Sequence, residues 1–148
     1  MGWAAGPAPL VAAVRAVKQF LTYVSPAPFQ LAIAHGLGYP PPALAGFATE
    51  LAAKRDLLCE GLDALGYAVY RPAATYFATT DIAAVAPGFG GLEFCLALPG
   101  RCGVVAIPSS VFYDPADGEA GATLVRWAFC KRQDVLREAL VRLASWGP

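Results

Sequence analysis

Between Gln19 and Thr49 the chain carries no Asp, Glu, Lys or Arg, and this uncharged run constrains its folding more than any other feature. The run is long enough to cross a bilayer. Yet Pro26, Pro28, Pro40, Pro41 and Pro42 cut it, together with Gly36, Gly38 and Gly46. A proline removes a helical hydrogen bond and disfavours helical geometry in the residue before it, so no unbroken apolar helix of about 20 residues can form. Short helices with apolar faces are expected instead, and those faces need covering by protein. Composition points the same way. Hydrophobic residues reach 57% and charged ones only 15%, with a net charge of zero. No basic field is present to hold nucleic acid or an anionic membrane. The Met1-Gly2-Trp3 start lacks the basic region of a secretory leader, and a cytoplasmic location is expected.

The cysteines narrow the chemistry. Cys59, Cys95, Cys102 and Cys130 include no Cys-x-x-Cys pair, and His35 is the sole histidine. Zinc sites draw on closely spaced Cys and His ligands, so no metal is expected. Four buried, reduced thiols that pack as small hydrophobes are the expectation.

Periodicity then divides the chain. Leu10, Val14, Val17 and Leu21 fall at helical spacing after Pro9, which predicts a helix ending by the Ser25-Pro26-Ala27-Pro28 stretch. A second helix is predicted over 29–37. A longer one is predicted over about 43–65, with Leu44, Phe47, Leu51, Leu58, Leu62 and Leu65 on one stripe and Gly66 as its C-terminal cap. Beyond it, 67–70 and 75–81 read as strands around a turn at Pro72. Residues 91–98 read as a helix, 103–107 (GVVAI) as a buried strand, 109–122 as a loop and 124–130 as a strand. A last helix over 133–146 should turn Val135, Leu136, Leu140, Leu143 and Trp146 inward. The second half is therefore α/β, a small mixed sheet backed by helices.

Within LVRWAFC (124–130), Arg126 stands among residues suited to a buried strand. An arginine goes inside a protein only when something ionic meets it there. Glu50, Asp56, Glu60 and Asp63, on the helix expected to cover the sheet, could supply an internal pair. A ligand carboxylate gripped by the planar guanidinium is the other possibility, and the pattern of residues does not choose between them.

Five stretches in order, AVRAVKQFLTYVSPAPFQLAIA (13–34), ELAAKRDLLCEGLDALGYAV (50–69), PAATYF (72–77), GVVAIPSSVF (103–112) and LVRWAFCK (124–131), resemble the C-terminal part of fold-type I, class I/II aminotransferases dependent on pyridoxal phosphate. The resemblance covers essentially the whole chain. It is nearest to the kynurenine and N-succinyldiaminopimelate aminotransferase group. It implies that 1–40 is the end of the large cofactor domain, 41–66 a long interdomain helix and 67–148 the small C-terminal domain. It implies that Arg126 binds the substrate α-carboxylate. It further implies that Tyr23, with the SPAPF loop, reaches a neighbouring subunit's active site in a homodimer. Tyr76 is expected in the core, and Pro108–Phe112 at the substrate entrance.

The same resemblance implies what these 148 residues do not carry. In the family, the Schiff-base lysine lies in a Ser/Gly-x-Lys-Thr-Phe stretch ahead of a Gly-Trp-(Lys/Arg)-x-Gly-Trp motif, of which only Gly2-Trp3 is found here. Lys18, Lys54 and Lys131 match no such motif. The catalytic lysine and the rest of the cofactor site are expected upstream, and no catalytic, cofactor-binding or metal-binding residue is assigned on this chain. The chain alone should therefore not transaminate an amino acid and a 2-oxo acid. A further departure is Ala74, where the family has glycine before Thr-Tyr-Phe, which is expected to stiffen or shift that turn. The alternative reading is a non-catalytic remnant, or a small α/β module, that binds a carboxylate ligand or a partner protein.

Overall fold

A computed structural model of the chain describes residues 2–40, 42–117 and 119–146. It divides into two compact units, residues 1–45 and 46–148.

The first unit is helical. Helix α1 (Ala8–Leu21) follows Pro7 and has Pro9 in its first turn. Helix α2 (Ala27–Leu37) starts two residues earlier than the sequence suggests. Pro28 causes no break there, because the first turn of a helix needs no amide donor. Neither helix buries a single residue. The Leu10, Val14, Val17 and Leu21 stripe exists as the spacing predicts, but it is exposed, as are Phe20, Phe29 and Leu31.

Helix α3 spans Pro42–Ala64, and the division between the units falls within it. Leu44 and Phe47 are exposed, whereas Leu58 and Leu62 are buried. Gly66, at φ +89°, ends the helix as expected. Its N–H donates to the Asp63 carbonyl at 2.9 Å, and the Tyr67 N–H donates to Leu62 at 3.1 Å. These two bonds satisfy carbonyls that the helix end would otherwise leave bare.

The remaining elements are β1 (Ala68–Tyr70), β2 (Phe77–Asp81), α4 (Gly91–Cys102), β3 (Ile107–Pro108), β4 (Leu124–Ala128) and α5 (Gln133–Leu143). The sheet has the order β1-β2-β4-β3. The α/β class stands, but every ladder is antiparallel where a mixed sheet was expected. One face of the sheet is dry. Ala78 and Thr80 of β2 and Val125 and Trp127 of β4 are buried there, in one core with Leu58, Leu62, Phe94, Leu98, Leu136 and Leu143. Thr80, a polar group inside that core, is satisfied by the Trp127 indole N–H, which donates to its hydroxyl at 2.8 Å.

Several expectations are corrected. The GVVAI strand shrinks to a two-residue ladder at 107–108. Val104 and Ala106 are buried all the same, while Val105 is exposed, so packing rather than strand pairing accounts for that apolar run. Helix α4 runs four residues past Leu98, with Pro99 inside it and Gly103 closing it at φ +65°. The 109–122 loop contains two 3₁₀ turns, Ser109–Phe112 and Pro115–Asp117. The last α-helix stops at Leu143 and continues as a 3₁₀ turn to Trp146. Val135 is exposed, because it lies about 100° around α5 from the Leu136–Leu140–Leu143 stripe. Cys59, Cys95 and Cys102 are buried and free, but Cys130, just past the end of β4, is exposed.

Candidate functional site

Strand period places Arg126. Val125 and Trp127 take the core face of β4, so Leu124, Arg126 and Ala128 take the other. The register then sets Tyr70, Thr79, Arg126 and Ile107 in one row across the four strands. Arg126 is half-buried, on the face away from the core.

Two aromatic rings hold it. The guanidinium carbon stands 4.2 Å from the centroid of Phe77 and 4.5 Å from that of Phe112. Phe77 lies two residues from Thr79 on the same face of β2, one diagonal step from Arg126. Phe112 arrives from the 3₁₀ turn after β3. The ring of Tyr76 leans on Phe77 with centroids 4.5 Å apart. Tyr76 is 47% exposed, which corrects its expected place in the core.

No carboxylate among the described residues lies within salt-bridge distance of Arg126, and none of its side-chain N–H groups has a hydrogen-bond acceptor there. Three of the four candidate acids on α3 serve other cations, and Asp63 forms no ion pair among the described residues. Asp56 accepts from Arg55 at 2.7 Å and pairs with Arg71 at 3.1 Å; Glu60 pairs with Arg71 at 3.4 Å; Glu50 pairs with Lys54. The Arg55 hydrogen bond, with Arg71 adding, holds the Asp56 carboxyl below the usual range.

Tyr23 belongs to the other unit. It follows α1 at φ +59°, its N–H donates to Lys18 at 2.9 Å, and its side chain is 79% exposed beside a shallow cleft lined by Trp3, Arg15, Gln19 and Ser25. Thr75 is the only other non-glycine residue at positive φ among those described, at +67°. Thr75 lies one residue past Ala74, in the turn leading to Tyr76 and Phe77. Non-glycine residues in this region carry strain and gather at functional sites.

A pyridoxal cofactor needs an amine to bind as an imine and a cradle for its phosphate, and the residues present do not fit it. Lys18 Nζ donates to Thr22 at 2.7 Å, Lys54 is paired on its own helix, and Lys131 lies beyond β4. Among the described residues no group of His, Cys, Asp and Glu could hold a metal. No helix among them is long and apolar enough to cross a membrane.

Arg126 is thus a strand arginine without an ion pair among the described residues, on the face of an antiparallel sheet turned away from its helices, in an α/β unit. The sequence matches the aminotransferase class I and II family over residues 1–143, and the chain belongs to that family. It is 46% identical to a probable N-succinyldiaminopimelate aminotransferase of Mycobacterium tuberculosis, over 97% of this chain and 38% of that protein. It is 35% identical to the methionine aminotransferase of Escherichia coli, over 97% of this chain and 36% of that one. The solved structure of the M. tuberculosis N-succinyldiaminopimelate aminotransferase superposes with a TM-score of 0.81 at 47% identity, covering 99% of this chain and 37% of its own. An aspartate aminotransferase of Thermus thermophilus, a quadruple mutant, gives 0.75 at 28% identity, covering 95% of this chain and 37% of its own. The chain thus spans under two-fifths of the length of these relatives, matching their C-terminal part.

Sequence reasoning singled out Arg126 and Tyr23 and, through the resemblance, put the loop ending at Phe112 at the substrate entrance, but it did not pair Phe77 or Phe112 with Arg126. Phe77 was within reach, since a period-2 strand puts it on the face of Arg126's neighbour Thr79. The contact of Phe112 with Arg126 had no periodic signal, because a loop's path is not periodic.

Proposed function

We propose that this chain supplies the α-carboxylate site of a pyridoxal-phosphate-dependent aminotransferase that moves an amino group between an amino acid and a 2-oxo acid. The observation that carries the reading is Arg126, a half-buried cation with no carboxylate partner among the described residues. A planar guanidinium with unspent donors matches both oxygens of a carboxylate and fixes the orientation of the substrate. Tyr23 keeps a left-handed backbone that glycine would adopt at less cost, and a role at the neighbouring subunit's site in a homodimer is a reason to keep it. On this reading 1–40 belongs to the large cofactor domain, 41–66 to the interdomain helix and 67–148 to the small domain, in a cytoplasmic enzyme. The cofactor lysine is contributed by residues outside these 148. Purified alone with pyridoxal phosphate, an amino donor and a 2-oxo acid, the chain should give no turnover and no single lysine trapped by borohydride, and trapping at one lysine with turnover would overturn this.

A chimera tests the positive half of the reading. This chain replaces the matching segment of the M. tuberculosis relative, and transamination is assayed with several amino donors. The chimera should be active. Arg126→Leu should lower kcat/KM for every donor by about 10- to 100-fold, the loss of a charge-assisted carboxylate grip, because all donors share the α-carboxylate. An active chimera indifferent to Arg126→Leu would refute the assignment.

A further inference from the structure

The surroundings of Arg126 raise a question that the carboxylate reading leaves open: what keeps a long, flexible side chain in place when it has no ion pair? Arginine has many rotamers to give up, and half-burial takes water from its charge. A carboxylate of the same chain would offset both costs but would also occupy the site. Aromatic rings offset them differently. They attract the cation through their π faces and accept no conventional hydrogen bond, so the N–H donors stay available. Arg126 has two such rings, at 4.2 and 4.5 Å, and no acceptor among the described residues.

The two rings differ in how they are held. Phe77 is half-buried in β2, sits in the ladder opposite Ala128 and is braced by Tyr76. Phe112 is 61% exposed at the end of a four-residue 3₁₀ turn. One wall of the sandwich belongs to the sheet, and the other to a loop.

We propose that Phe112 is a positioning residue. It closes the loop side of an aromatic sandwich that presents the Arg126 guanidinium to a carboxylate, so the placement of residues 109–112 sets the affinity of the site. The proposal rests on the carboxylate reading of Arg126 and adds to it the group that holds the arginine ready.

The test uses the full 148-residue chain and the Arg126 Nε–Hε signal in arginine-labelled NMR spectra, assigned by its loss in Arg126→Leu. The Trp127 indole signal, bonded to Thr80 inside the core, controls for folding. Flanking rings should displace the Arg126 signal from those of the other arginines, and pyruvate should titrate it. In Phe112→Leu the signal should move toward the other arginines and the pyruvate dissociation constant should rise about 2- to 5-fold, the weight of one exposed cation–ring contact. Phe112→Tyr should restore both readouts. If Phe112→Leu disturbs the indole signal, Phe112→Met carries the same test. Unchanged Arg126 position or unchanged pyruvate affinity in a folded Phe112 variant overturns the positioning role alone. A wild-type signal displaced by rings yet indifferent to pyruvate overturns the carboxylate reading, and the positioning role with it.

Discussion

At the scale of single residues, two buried or half-buried polar side chains without a hydrogen-bond partner among the described residues lead to opposite expectations. Arg126 has its charge met by rings rather than by an acid. Breaking a buried ion pair costs about 3–5 kcal/mol because it strands the other charge, but no such charge is stranded here. Arg126→Leu should therefore leave the urea midpoint of this chain nearly unchanged or raise it. A loss of several kcal/mol would mean that the arginine serves its own chain. Tyr67 is the contrasting case. It is 3% exposed, its ring packs edge-on against Phe94 and Trp127, and its hydroxyl finds no partner among the described residues. Burial, with Cys102 adding, pushes that hydroxyl from 10.0 up to about 12. An unfolded chain releases the proton near the lower value while the folded chain retains it. Stability should thus fall as pH rises from about 10 to 12, through the greater proton binding of the folded state. Tyr67→Phe should abolish that share of the alkaline slope in denaturation measured across this range. It should also stabilise the fold by about 1 kcal/mol at neutral pH, since it removes an unsatisfied buried donor.

At the scale of elements, the 71–76 turn and the 109–112 turn matter more than the strands they join. Thr75 is β-branched at φ +67°, where an L side chain with a branched Cβ is least at home, and it sits immediately before Tyr76 and Phe77. Thr75→Gly should raise thermal stability by about 0.5–1 kcal/mol, the strain relieved less the entropy that glycine loses on folding. Should the substitution destabilise the chain, side-chain interactions of Thr75 would outweigh its strain. The helices were easier to read, because their signals are local: proline at the start, a glycine at the end, and apolar residues every three or four positions. The GVVAI stretch was misread because an apolar run records burial, and burial at Val104 and Ala106 arises without a strand ladder.

At the scale of the whole molecule, the two units contrast in how they satisfy their apolar residues. The second packs Leu62, Ile82, Phe94, Leu98, Val125 and Phe129 almost fully out of water. In the first, α1 and α2 bury nothing, and Phe20 remains 84% exposed. Apolar faces of this kind belong at interfaces. The intact chain should self-associate in sedimentation and bind a hydrophobic dye, and a variant beginning at Gly46 should do so far less. A dye-silent monomer of the full chain would contradict this.

What the sequence determined by itself was whatever depends on near neighbours. The prolines and glycines between 19 and 49 ruled out one long helix, the heptad-like stripe of α3 marked the face that carries Leu58 and Leu62 but not which end of it is buried, and the ordered motifs identified the family. What only the tertiary structure decided depends on residues brought together from far apart. The face on which Arg126 lies follows from which neighbours, Val125 and Trp127, enter the core, and period alone is blind to that choice. Its partners come from position 77, through the register of a β-ladder, and from position 112, through the path of a loop. Neither leaves a trace in local pattern, because a ring 49 residues away in sequence and 4.2 Å away in space is related to the arginine by the fold alone.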